Sequence, residues 1–374
     1  MQPVNTGLEG VVAAETRLSH VDGLAGELII GGFPLEELVL NASFEEVTYL
    51  LWHDRLPTNS ELNTFKSQLK SHRTLPDIIL NVLQAAAARN LPTMDALRMG
   101  ASALSLLVDD INDHEEAALT AVAAFPSIVA AYYRYTQGQN PIAPHSELDH
   151  AANYLYMIKG EKPDTEQTRA LQTYLNTVSD HGLNASTFTA RVIISTQSDI
   201  ISAITGAIGA LKGPLHGGAP GPALDMVFEI GKPENAEPMI REMLERGDRL
   251  MGFGHRVYKV RDPRADVLKT AAERFFPEGD EFYALVQYVE QVALNLLEEY
   301  KPGRRLQTNV EFYTALVLHG IGLPTDLFSP TFAVGRVGGW TAHAREQLAH
   351  GRLIRPASTY TGEYGRKWMP IEER

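Results

Sequence analysis

The stretch Met251–Arg264, MGFGHRVYKVRDPR, sets His255 behind two glycines and follows it with Arg256, Lys259, Arg261 and Arg264. A group able to move a proton therefore stands in a small basic field. That composition suits the handling of an anion, because guanidinium groups fork onto carboxylates or phosphates through paired hydrogen bonds. Gly252 and Gly254 allow the backbone conformations and close ligand approaches that other residues forbid. A solvated basic loop would have the same composition, so the stretch needs support from elsewhere in the chain. In LKGPLHGGAPGPAL, Leu211–Leu224, His216 stands among glycines and prolines in what reads as a loop entering a helix. There the helix macrodipole disfavours the imidazolium and leaves a neutral ring that can donate one hydrogen bond to a carbonyl. In TNVEFYTALVLHG, Thr308–Gly320, Asn309 reads as an N-cap and Glu311 falls in the first helical turn, where the dipole alone also favours a carboxylate.

These residues belong to a chain of 374 residues with 33 basic and 46 acidic side chains, a net charge of −13. An acidic chain that gathers its arginines locally suits a small anion better than a nucleic acid. With no cysteine, disulfides, thiolate nucleophiles and Cys-ligated zinc are excluded. No G-x-S-x-G elbow, P-loop or H-E-x-x-H pair occurs, and position 257 is Val where a third glycine would complete G-x-G-x-x-G. His145/His150 and His343/His350 lack zinc-ligand spacing, so no metal is expected. The first residues show neither the basic region nor the apolar run of a signal peptide, and the expected location is cytoplasmic.

Helices must position these groups. Ser43/Glu46, Thr58/Glu61, Asp113/Glu116 and Asp164/Gln167 all fit the capping box. Pro57 closes one helix, Pro76 opens another, and Leu91–Pro92 precedes an amphipathic segment from about Met94. The uncharged run Ala117–Tyr133 holds Pro126 and reads as a buried, proline-kinked helix rather than a membrane span. Ile200–Leu211 is apolar all round, which predicts burial on every side, in the core or in a subunit interface. Strand signals are confined to stretches such as Glu27–Ile30 and Ala357–Thr361, so the class is mainly α. The region Gly231–Gly303, richer in charge and in Gly/Pro breaks, reads as a smaller embedded domain.

Taken together, the chain resembles the citrate synthase family. GLEGVVAAETRLS, SFEEVTYLLW, SDHGLNAST, GPLHGG, GFGHRVYKVRDPRA, TNVEFY and FAVGRVGGWTAH look like that family's blocks in that family's order, over nearly the whole chain. The resemblance implies a helical homodimer in which a smaller domain, roughly Gly217–Leu318, is inserted into a larger one formed by residues 1–216 and 319–374. It implies Claisen-type condensation of acetyl-CoA with oxaloacetate, then thioester hydrolysis, with no cofactor beyond the CoA thioester substrate.

The same resemblance assigns individual roles. His216 would donate to the thioester oxygen, His255 would bind and protonate the oxaloacetate carbonyl, and Glu311 would abstract the methyl proton. Oxaloacetate would be held by His181, Arg264, Arg336 and Arg355 with Asn184 nearby, and the CoA phosphates by Lys259, Arg261, Arg304 or Arg305. Two departures stand out: Glu311 replaces the Asp of most members, and Ile30-Gly31-Gly32-Phe33 replaces an aromatic-Arg-Gly-aromatic block. Propionyl-CoA as substrate, giving 2-methylcitrate, and a non-catalytic acyl-CoA-binding or interaction paralogue are the competing expectations.

Overall fold

The computed structural model describes residues 6–8, 10–216, 221–255, 258 and 260–374. Helix starts are where the polar caps place them. Ser43, Thr58 and Asp164 each accept from the backbone N–H three residues on, and Glu46, Glu61 and Gln167 reach back to complete reciprocal boxes. Asp113 differs from the expected box. It accepts from the N–H groups of Glu115 and Glu116, but its own N–H already donates to Asp110 O, so Glu116 has nothing to return to.

Among the described residues the helices in order are α1 (Leu35–Val39), α2 (Phe44–His53), α3 (Asn59–Ser71), α4 (Asp77–Ala88), α5 (Thr93–Ala103), α6 (His114–Thr136), α7 (His150–Lys159) and α8 (Thr165–Thr177). They continue with α9 (Ala185–Ile194), α10 (Ile200–Leu211), α11 (Gly221–Ile230), α12 (Pro233–Glu245), α13 (Pro263–Phe275), α14 (Glu281–Tyr300), α15 (Val310–Gly320) and α16 (Phe328–His350). The chain is mainly α, as its composition of capped helices predicts. One antiparallel sheet, β1 (Ser19–Asp22), β2 (Glu27–Ile30) and β3 (Phe33–Pro34), precedes them in the order β1-β2-β3. Ile30 pairs with Phe33, so Gly31 (φ 54°) and Gly32 (φ 86°) form the two-residue turn between β2 and β3. Positive φ at both central residues is the hairpin geometry glycine serves best. A Cβ on Gly31 would also lie 2.7 Å from the Leu50 side chain.

The second expected strand is absent. Ala357–Thr361 lies in an exposed tail without helix or strand over residues 351–370. A strand needs an edge to pair with, and no strand lies beside this segment.

Helix α6 runs through Pro126 without interruption, with Ala117–Tyr132 buried against α4, α5, α7 and α16. It is long and apolar enough to cross a membrane, but 89% of its most apolar window is buried inside the fold, which marks a core helix. Helix α10 meets the core on one side only: Ile200, Ile201, Ile204, Ile208 and Leu211 are buried, while Ser202 and Gly209 are exposed along one open face, which leaves a subunit interface as the expectation for that side. Helix α16 is buried over most of its length and passes close to the chain at Val178–Asp180. A Cβ at Gly339 would lie 2.1 Å from Ser179 O, and one at Gly335 2.6 Å from Val178. Those two glycines let the segment before His181 lie directly on the helix that carries Arg336.

Candidate active site

The His255 segment is stitched to the start of α15. Phe253 bridges Thr308, Gly254 N donates to Gln307 O (2.7 Å), and Asn309 N donates to Gly252 O (2.9 Å). Asn309 then works twice: its Oδ1 accepts from Glu311 N (2.9 Å) as N-cap, and its Nδ2 donates to Gly254 O (2.9 Å). Gly252 and Gly254 take φ of 87° and 79°, a region closed to most side chains, and a Cβ on Gly252 would come within 3.0 Å of Phe312. The glycines read from the sequence therefore bring His255 and Glu311 onto one piece of backbone.

His255 Nδ1 accepts from Tyr258 N (3.1 Å), and a guanidinium faces the other ring nitrogen, Nε2. That Nε2 lies 3.2 Å from Nη2 of Arg264. Arginine can only donate, and an oxygen acceptor placed beside the pair would take a hydrogen bond from the same guanidinium. Arg264, in the first turn of α13, is gripped by Asp262, whose Oδ1 accepts from Nε (3.0 Å) and whose Oδ2 accepts from Nη2 (2.9 Å); that same Oδ2 also accepts from Val310 N (3.2 Å) at the start of α15. Burial pushes the Asp262 carboxyl up, but Arg264 and His255 outweigh it and hold the group below its ordinary value.

Arg336 is 2% exposed, donates through Nε to Val178 O (2.5 Å), and lies with its Cζ 4.7 Å from the Phe332 ring centre. Among the described residues no carboxylate pairs with it. Burial pulls its pKa down to about 10, against the pull of Asp180 in the other direction. A buried guanidinium without a paired anion is costly unless something supplies the charge. His181 stands beside this pair, its ring centre 6.0 Å from that of His255. Burial, then Arg264 and Arg336, lower its pKa well below the usual histidine value. Asn184 caps α9 through Thr187 N (3.1 Å) and holds Ser186 Oγ (2.8 Å), so its side-chain oxygen is committed to the helix start.

His216 is neutral, as expected, with its pKa lowered to about 4 by burial and then by Arg336. The reason differs from the expected one. Its ring sits at the first turn of α9, not at the start of the helix that follows it, and Ser186 N donates to its Nε2 (3.2 Å). With Nε2 accepting, Nδ1 carries the proton and is the donor. Residues 217–220, where the sequence placed the loop, lie outside the described residues.

Glu311 is partly buried, and its pKa is raised to about 7. Burial dominates, Arg249 and Arg264 pull the other way, and Asp262 adds to the rise. The helix dipole favours the ionised form and closure of the site was expected to raise the pKa by desolvation; desolvation already dominates here, because the first turn of α15 is packed under the Gly252–His255 segment.

Not every candidate joins this cluster. Arg355 lies in the tail, lining a cavity of about 460 Å³ with Leu8, Glu15, Phe188, Arg191 and Glu346. Arg304 and Arg305 are exposed in the connection between α14 and α15. Arg261 is engaged by Asp266 and by Glu290 (3.2 Å), two carboxylates that already balance its charge. Lys259 lies outside the described residues, as does Arg256.

Sequence reasoning also missed groups that support the site. Ser186 and Trp340, both fully buried, bond through Trp340 Nε1 and Ser186 Oγ (3.1 Å) and fix the floor under His216. Asp180, next to His181, accepts from Ser19 Oγ (2.5 Å) and His343 Nε2 (3.0 Å). His343 Nδ1 accepts from Arg191 (2.9 Å), which pairs with Glu346 (2.7 Å). Arginine can only donate, so His343 must carry its proton on Nε2, towards Asp180. Ser186 could have been found as the second residue of a helix capped by Asn184, but the His343 network joins residues 163 apart in sequence and left no local signal.

Comparison with known proteins bears directly on this geometry. The family model described as "Citrate synthase, C-terminal domain" matches residues 7–357. The chain belongs to the citrate synthase family. It is 43% identical to the citrate synthase of Haloferax volcanii over 378 residues, 98% of each chain. It is 38% identical to the 2-methylcitrate synthase of Shewanella oneidensis, over 98% of this chain and 97% of that one. A ternary complex of carboxymethyl coenzyme A and oxaloacetate with citrate synthase from Thermoplasma acidophilum superposes with a TM-score of 0.88 at 32% identity, covering 100% of both chains. Within this citrate synthase family member, the Gly31-Gly32 departure is confined to the hairpin turn, while Glu311 stands at the centre of the site.

Proposed function

We propose that the chain condenses acetyl-CoA with oxaloacetate and releases citrate and CoA. The observation that carries the reading is the pair Arg264 and Arg336, both buried beside His181 and His255, with Arg336 short of a paired carboxylate. Such a cradle suits a small dicarboxylate whose carbonyl oxygen lies between His255 Nε2 and Arg264. Holding it there offsets the entropy of aligning two substrates.

In this reading Glu311, poised near neutral pH, removes a methyl proton from acetyl-CoA while His216 Nδ1–H donates to the thioester oxygen and stabilises the enol. The enol carbon attacks the oxaloacetate carbonyl carbon, and the new alkoxide takes a proton from His255. Water then cleaves the citryl thioester, giving citrate and CoA. The family names favour one second reading: the 38% identical Shewanella relative is a 2-methylcitrate synthase, and one methylene changes discrimination by only about 1–3 kcal/mol.

We further propose a homodimer acting in the cytoplasm, with residues 217–318 as the moving smaller domain. The open face of α10 and a tail exposing Tyr360, Tyr364, Trp368 and Ile371 support association with a second copy. A tail of this kind can carry Arg355 to the site of that copy. The deciding experiment measures CoA release with oxaloacetate and either acetyl-CoA or propionyl-CoA. A higher kcat/KM with acetyl-CoA is expected; a preference for propionyl-CoA replaces the reading with the methylcitrate one, and no release with either leaves a binding protein.

A further inference from the structure

Tyr258 packs against both of the histidines that stand beside the arginine pair. It is 3% exposed, its ring centre lies 4.9 Å from that of His255 and 5.7 Å from that of His181, and Arg264 Cζ stands 5.9 Å from its ring centre. Its backbone N–H occupies His255 Nδ1, and its hydroxyl lies 3.1 Å from His181 Nε2. Burial raises its pKa, so the phenol keeps its proton.

We infer that Tyr258 is a positioning residue that sets the proton on His181, leaving that ring with Nδ1–H, while its backbone N–H holds the His255 ring in place. The argument for His181 is one of satisfaction. Among the described residues the only acceptor within reach of the phenolic proton is His181 Nε2. Were Nε2 to carry the ring proton instead, it would donate to the phenol oxygen and strand the phenol proton in a nearly closed interior, which costs about as much as a lost hydrogen bond. The hydroxyl therefore donates, Nε2 accepts, and the ring proton of this neutral histidine belongs on Nδ1. The hydroxyl also ties the segment before α13 to the loop between α8 and α9, so the two histidines are oriented together.

The consequence rests on the proposed oxaloacetate site: His181 can then offer Nδ1–H to a carboxylate only while Tyr258 holds its other nitrogen. Removing the hydroxyl lets the ring reverse its tautomer and present a lone pair there. Two measurements test this. In wild-type protein labelled with ¹⁵N-histidine, assigned by difference against His181→Asn, His181 Nε2 should resonate as an unprotonated nitrogen. In Tyr258→Phe it should shift to the protonated position, and KM for oxaloacetate should rise about tenfold with kcat changed less than about threefold, the effect of one lost orienting hydrogen bond. A protonated Nε2 in the wild type overturns the inference. So does a Tyr258→Phe protein with unchanged tautomer, whether its KM stays put or its kcat and stability fall together as in a packing defect. Failure of the wild type to turn over oxaloacetate would sink the proposed reaction instead, and the tautomer measurement would still decide the role of Tyr258.

Discussion

At the scale of single residues, the site works by placing charge where burial makes it consequential. Glu311 illustrates the competition: the dipole and two arginines favour its ionised form, and desolvation still raises its pKa to about 7. In its proposed role as the base it must be deprotonated, so kcat/KM for acetyl-CoA in the free enzyme should climb with pH through about 7 and level off above it. The same shift has the opposite sign for stability. Between the ordinary value of 4.5 and about 7 the folded state holds the proton that the unfolded state has lost, so this contribution to stability is present below 4.5 and disappears as pH rises through 7. In a urea series from pH 5 to 8, stability should fall with pH in wild type relative to Glu311→Gln, the difference reporting Glu311 alone.

Glu311→Gln should lower turnover by about 10²–10⁴ with little change in oxaloacetate binding. Glu311→Asp should lose activity as well, because the backbone is set for the longer side chain. Parental turnover in the glutamine protein would remove Glu311 from the proton transfer. Arg336→Lys keeps the charge but loses the planar fork and the Nε bond to Val178 O. Its KM for oxaloacetate should rise about 10–100-fold, the range for a hydrogen bond to a charged group; an unchanged KM would place the dicarboxylate elsewhere.

At the scale of elements, the start of α15 is the joint on which the site turns. Asn309 caps the helix that carries Glu311 and, with its other side-chain atom, holds Gly254 O beside His255. An ordinary N-cap loss costs about 0.5–2 kcal/mol. Asn309→Ala should show that loss in denaturant melts and, beyond it, a fall in kcat, because both reacting groups lose a common tether. Thr58→Ala, at the start of α3 and remote from the site, is the control: a similar loss of stability with kcat unchanged. Equal kinetics for both variants would show that Asn309 is only a cap. Glycines do the complementary work in α16, where Gly335 and Gly339 admit the chain that delivers Asp180 and His181.

At the scale of the whole molecule, the two arginines lie on parts of the chain that the proposed domain division separates, Arg264 with α13 and Arg336 with α16. A ligand that contacts both favours whichever arrangement brings them together, by its differential contacts in the two states. Leu215, fully exposed in the turn beside His216, reports on that motion. Chymotrypsin cleavage at Leu215 should slow with oxaloacetate and not with CoA alone, and equal digestion under both conditions would argue against closure at this segment.

The sequence by itself determined most of the helix starts, the mainly α class and the family, because caps, glycine pairs and motif blocks act within a few positions of themselves. Ser43, Thr58 and Asp164 cap as their spacing predicts, and Gly252 and Gly254 take the positive φ that their placement before His255 suggests. Contacts between distant segments were not legible. Nothing near His216 announces that its ring rests on the first turn of α9, and nothing near Asp180 announces His343. The extent of burial was hidden as well: Glu311 was expected to be ionised by its helix position and pushed up by desolvation on closure, but how far the packing of α15 beneath the His255 segment raises it is decided by what surrounds the group rather than by its neighbours in the chain. Arg355 and the exposed tail mark the same division at the largest scale. The residue type was readable, but where the tail carries it is decided by the surface it meets.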